Sequence, residues 1–115
     1  MIIAEDSHYY LYLAPTDMRK SIDTLCVVVS ETLAMEPASG HCFIFCNRQR
    51  NKMKMLYYEH QCFTLWYRRA EKGQFVFPKE RDGMVTLSQS QWEWLIRSNQ
   101  YRLLGSAVPD CSLVT

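Results

Sequence analysis

The sequence predicts an α+β fold: an antiparallel β-meander of about five strands packed against one long helix, with a second, shorter helix toward the C-terminus. Three observations carry that prediction. Met18, Ile22, Leu25, Cys26, Val29 and Leu33 recur at three- and four-residue steps, the spacing of one buried helical stripe. From Cys42 to Phe77 the texture changes to short apolar or alternating runs broken by tight turns, as in successive antiparallel strands. Ser88 then opens a second run of helical period.

In chain order, HYYLYLA (8–14) is aromatic and aliphatic enough for a first strand, and Pro15 ends it. Thr16 and Asp17 offer N-cap oxygens to the long helix MRKSIDTLCVVVSETLAM. Its β-branched run Val27 to Val29 opposes helix locally. Pro37 and Gly40 in EPASG stop it. CFIFC (42–46) is apolar on both faces, which marks a central strand. KMKMLYY (52–58) alternates cation and methionine before turning aromatic. CFTLWYRR (62–69) alternates too, with Phe63, Leu65 and Tyr67 on one side and Thr64, Trp66 and Arg68 on the other. Glu71, Lys72 and Gly73 supply a turn, QFVF (74–77) reads as a fourth strand closed by Pro78, and MVTL as an edge strand. In SQSQWEWLIRSNQ, with Leu87 before it, Trp92, Leu95 and Ile96 can face the core.

With 115 residues, 48% of them hydrophobic, the chain suits one α+β domain over residues 1–104, followed by a weakly patterned, loosely ordered tail at 105–115. No stretch reaches the roughly 18 uncharged apolar residues of a membrane span. The N-terminus MIIAEDSHYY has acids where a signal peptide has bases. The expectation is a cytoplasmic protein without membrane contact.

Five cysteines (Cys26, Cys42, Cys46, Cys62, Cys111), mostly in apolar runs, suit buried thiols in a reducing compartment. A zinc site would have to gather His41, Cys42, Cys46, His60 and Cys62. On a strand, however, Cys42 and Cys46 stand about 13 Å apart at roughly 3.3 Å per residue, too far for one metal. No G-x-S-x-G element or phosphate-cradling glycine loop is present, the three histidines are scattered, and Asp17 and Asp23 do not form a paired carboxylate site. Neither catalysis nor a cofactor is expected.

The charge distribution is more informative. Residues 48–81 hold nine cations against three acids, whereas the rest of the chain holds four against nine. A near-neutral protein can thereby carry a basic surface. In NRQRNKMK, Arg48, Arg50, Lys52 and Lys54 occupy every second position, so a strand or hairpin would aim all four one way. Arg68, Arg69 and Lys72 continue the basic stretch, Trp66 offers a ring for stacking, and Arg19 with Lys20 could extend a phosphate-binding face. These ten residues form the candidate nucleic-acid surface. Spaced ion pairs among Asp17, Arg19, Lys20 and Asp23 account equally for the helix start. A solvated sheet face protected by lysines accounts for the comb.

PTDMRKSID, FIFCNRQRNKMKMLYY and FTLWYRRAEKGQFVFP, in that order and spacing, resemble the TnpB-like accessory proteins encoded by the second reading frame of bacterial insertion sequence 66 elements. The likeness runs from about Tyr9 to Tyr101. Thr16, Asp17, Met18, Arg19, Lys20 and Asp23 match its first block. Phe43, Phe45, Asn47, Arg48, Lys54 and Leu56 match the second, and Phe63, Leu65, Trp66, Arg69, Glu71, Gly73, Phe75 and Pro78 the third. Cys62 replaces a usual glycine, Ala70 a leucine and Thr24 a common glycine. The resemblance implies a non-catalytic role in transposition, with DNA at the element ends and a separate transposase as partners. The alternative is a protein-interaction module in which Met53, Met55, Tyr57, Trp92 and Trp94 dock the transposase or a second copy.

Overall fold

The computed structural model describes residues 7–100. Its elements are β1 (Tyr9–Tyr12), α1 (Ile22–Val27) running into a π-helical turn (Val28–Thr32), β2 (Cys42–Cys46), β3 (Lys52–Glu59), β4 (Cys62–Arg69), β5 (Met84–Leu87) and α2 (Gln89–Leu95). The five strands form one sheet in the order β4-β3-β2-β1-β5. The α+β class stands, and so does the antiparallel meander for β2, β3 and β4. β1 departs from it: it lies parallel to β2 and antiparallel to β5, so the sheet is mixed. A parallel neighbour requires the chain to cross one face and return, and α1 lies in that crossover.

The single long helix shrinks to six α-helical residues and five in π geometry. At its start, the Asp17 carboxylate accepts the backbone N–H of Arg19 at 2.9 Å, a local turn that competes with helix. The helix therefore begins at Ile22, with Ser21 as its N-cap rather than Thr16 or Asp17. Near its end, the Ser30 hydroxyl donates to the carbonyls of Cys26 and Val27, and the Leu33 N–H reaches back to Val28, which widens the last turn. Ala34, at φ 54°, ends the run.

QFVF is the second correction, because it is not a strand. β4 and β5 sit at opposite edges, so residues 70–83 must traverse the sheet. Phe75, Val76 and Phe77 are all buried on the way. The N–H of Phe75 bonds the Arg50 carbonyl at 2.7 Å, and that of Val76 bonds the buried Ser98 hydroxyl at 2.8 Å. Those partners replace a strand ladder, as a buried backbone requires.

The sheet is covered on both faces. Leu25 and Val29 of α1 pack on Phe43, Phe45 and Leu56. On the other face Trp92 and Leu95 of α2, with Phe75 and Phe77, pack on Leu11, Ile44, Met53 and Met55. β2 lies between, with all five residues buried, as its two-sided apolar sequence demands. Burial pushes the Cys42 and Cys46 thiols up to about 12. α2 starts as expected at Ser88, in a capping box with Gln91. The expected tail at 105–115 and the domain end at 104 lie outside the described residues.

If the crossing segment is a core plug, Phe75→Ala lowers unfolding free energy by about 3–5 kcal/mol, read from urea denaturation. Alkylation at pH 8 with peptide mapping labels exposed Cys62 and leaves Cys42 and Cys46 unmodified until denaturant is added.

Candidate nucleic-acid interface

The comb divides at the β2–β3 hairpin. Arg48 and Arg50 lie in the connecting turn, and Lys52 and Lys54 lie on β3. Asn47 builds that turn. Its side-chain oxygen accepts the N–H groups of Asn51 and Lys52 at 3.1 and 3.0 Å, and its amide donates to Asn51 Oδ1 at 2.7 Å. Arg50 takes the left-handed conformation at φ 60°. Its guanidinium turns over the Phe77 ring at 5.3 Å and toward the Pro78 carbonyl, binding the hairpin to the crossing segment.

Strand parity sorts the remaining residues. Met53 and Met55 belong to the α2-side cluster and Leu56 to the α1-side cluster, so Lys52 and Lys54 face the α1 side. Across the ladder Lys52 opposes Arg69 and Lys54 opposes Tyr67, whereas Met53 opposes Arg68 and Met55 opposes Trp66. Trp66 and Arg68 thus lie on the other face from the lysines. Trp66 packs edge-on against Trp92 at 5.4 Å, and Arg68 Nε donates to the Ile96 carbonyl at 2.9 Å. The ring beside the lysines is Tyr67, 49% exposed, with Lys54 Nζ 5.6 Å above it. The same ammonium donates to the Lys20 carbonyl at 2.7 Å, strapping the pre-helix loop to the sheet.

The loop is held from the other side by the Thr16 N–H, which bonds the Cys46 carbonyl at 2.8 Å. An open groove of about 520 Å³ results, lined by Asp17, Arg19, Arg48, Gln49, Lys52 and Tyr67 among others. Three separated sequence segments meet there. Of the ten candidates, the structure brings Arg19, Arg48 and Lys52 into the groove, with Lys54 and Arg69 on the same sheet face and Lys20 at its strap. Arg50, Trp66 and Arg68 face away, and Lys72 sits in the bend beyond β4, its carbonyl held by Asn99.

Two of these cations are paired. Arg19 binds the Asp17 carboxylate through Nε and a terminal nitrogen, at 3.1, 3.0 and 2.7 Å, and Arg69 binds Glu71 at 2.8 Å. Both pairs are solvent-exposed, so salt screens them. Hydrogen bonds from the Arg19 side chain, then from its backbone, hold the Asp17 carboxyl at about 2. Arg48 and Lys52 have no carboxylate partner among the described residues. Placing Lys52 directly across from Arg69 is unfavourable for the sheet by itself.

Of the five residues of the docking alternative, Trp94 is only partly buried. Met53 and Met55 are fully buried and Tyr57 and Trp92 nearly so, because α2 and the crossing segment cover that face. Sequence reading passed over Tyr67 and Asn47. A two-residue turn at His60 and Gln61, both at positive φ, fixes the β3–β4 register, and that register signals Tyr67. An asparagine closing an apolar strand before a polar turn signals Asn47.

The family model described as "IS66 Orf2 like protein" matches residues 7–104. Two proteins of Sinorhizobium fredii (strain NBRC 101917 / NGR234) are similar to the chain. "Uncharacterized protein y4hO" is 30% identical over 87 residues, 76% of each chain. "Uncharacterized protein y4jC" is 26% identical over 82 residues, 71% of this chain and 70% of its own. No solved structure matches.

Asn47→Ala strips two backbone N–H groups of their acceptor and lowers stability by about 1–3 kcal/mol in denaturant titration. A carboxyl pKa lowered by folding stabilises fully above the unfolded value, about 3.9, and that stabilisation is lost as pH falls through the folded one. Carbon-detected NMR therefore finds the Asp17 midpoint near 2, and Arg19→Ala raises it part of the way toward the free value, because the backbone N–H of residue 19 still donates to the carboxylate.

Proposed function

The chain belongs to the IS66 Orf2-like family, which ties it to transposition in an accessory role, and on that premise we propose that it binds the DNA phosphate backbone through the α1-side groove. The observation that carries the reading is the convergence of Arg19 from the pre-helix loop with Arg48 and Lys52 from the β2–β3 hairpin on one open groove, beside an exposed tyrosine of β4. Arg48 and Lys52 make the first phosphate contacts. Arg19 and Arg69 add charge as phosphate competes with their exposed carboxylates. Tyr67 supplies a ring for a sugar or an unpaired base. Contacts of this kind position a protein on DNA without reading sequence, which fits a partner that holds element ends while a separate transposase performs strand transfer.

The test is an anisotropy titration of labelled duplex at several salt concentrations. Each phosphate neutralised contributes about −0.9 to the log–log slope. Arg48→Glu with Lys52→Glu flattens that slope by about 1.8, whereas Arg68→Glu, on the opposite face, leaves it unchanged. Absence of binding at low salt, or equal damage from Arg68→Glu, refutes the reading.

A further inference from the structure

Among the described residues β4 has a backbone neighbour on one side only, because it ends the sheet. It is eight residues long, pairs with β3 in unbroken register from Cys62↔Glu59 to Arg69↔Lys52, and contains neither proline nor bulge. Exposed strands are ordinarily kept from joining others by shortness, proline, bulges or central charges. β4 has none of these along Phe63 to Tyr67, and its charges, Arg68 and Arg69, are confined to one end. No backbone bond to its outer edge occurs among the described residues. The α1-side ridge along that edge is apolar: Phe63 and Leu65 are half-buried and Tyr67 is 49% exposed.

We propose that this edge pairs, antiparallel, with β4 of a second copy. The partner is argued from self-complementarity. A two-fold axis normal to the sheet keeps each side chain on its own face, so a residue must oppose its own copy at the axis. Only Leu65 or Trp66 at the axis puts seven of the eight β4 residues into the ladder. With Trp66 there, Arg69 falls opposite Phe63 and Arg68 opposite Thr64. With Leu65 there, Arg68 falls opposite Cys62 and Tyr67 opposite Phe63. Neither register sets arginine against arginine, because antiparallel pairing lays the charged end of one strand beside the neutral end of the other. A parallel pairing in register would stack the arginines and is disfavoured.

The same axis leaves both α1-side grooves on one face of a ten-stranded sheet. In the Trp66 register the two Tyr67 residues stand two positions apart along neighbouring strands, a Cα separation of about 8 Å. The grooves then merge into one continuous cationic trough. This pairing is independent of whether the trough binds DNA.

Two measurements on the full chain test it. Sedimentation over a concentration series shows a shift from one to two chain masses, and Leu65→Lys, which puts a charge in the middle of the pairing edge, at the axis in one register and one pair from it in the other, restores the single mass. Hydrogen exchange of the unmodified protein shows the outward amides of Phe63 to Arg69 slowing as concentration rises, with β1 and β2 unchanged. A single chain mass throughout overturns the proposal. So does a dimer that leaves the β4 amides unprotected, or protection of those amides in the monomer, which would mean that another segment of the same chain covers the edge.

Discussion

The architecture depends on the burial of β2 from both sides. Five consecutive apolar residues, Cys42 to Cys46, cannot face water on either side of the sheet without a large hydrophobic penalty. Two covers are therefore obligatory. α1 provides one, and the other is assembled from α2 and the irregular segment through Phe75 and Phe77. The hydrogen-bonding edges of β2 are satisfied by β1 and β3, which makes it the middle of the sheet in every direction.

That constraint also creates the groove. α1 has to lie over β2, so the loop leading into it passes the C-terminal end of β2, where Thr16 bonds the Cys46 carbonyl. The hairpin turn begins one residue later at Asn47. Loop and hairpin are thus adjacent because the same strand anchors both, and β3 and β4 extend the wall with Lys52 and Tyr67. Basic residues distant in sequence become neighbours through backbone geometry, without attraction between them. Their mutual repulsion is relieved in part by Asp17 and Glu71, each two residues from its arginine.

The two sheet faces divide the chemistry of an aromatic, basic strand into separate tasks. On the α2 side, Trp66 and Arg68 serve packing and helix anchoring. On the α1 side, Tyr67 and Arg69 are exposed. Adjacent residues of one strand therefore belong to different physical environments, the direct result of its two-residue period.

The class, the central place of CFIFC, the β2-β3-β4 meander, the Ser88 cap and the basic character of residues 48–81 were all legible in the residues, because each follows from local pattern and short-range pairing. The three family blocks were legible there too. The rest came from contacts between distant segments. Whether β1 joins the meander or slips between β2 and β5 depends on long-range pairing that no local period encodes. QFVF has strand composition, yet it had to carry the chain between opposite edges, and burial against Met53 and Met55 outweighed ladder formation. The four-cation comb was legible as charge but not as direction: the Asn47 turn takes Arg48 and Arg50 out of the strand, and only the β3–β4 register reveals that Tyr67, rather than Trp66, stands beside the lysines.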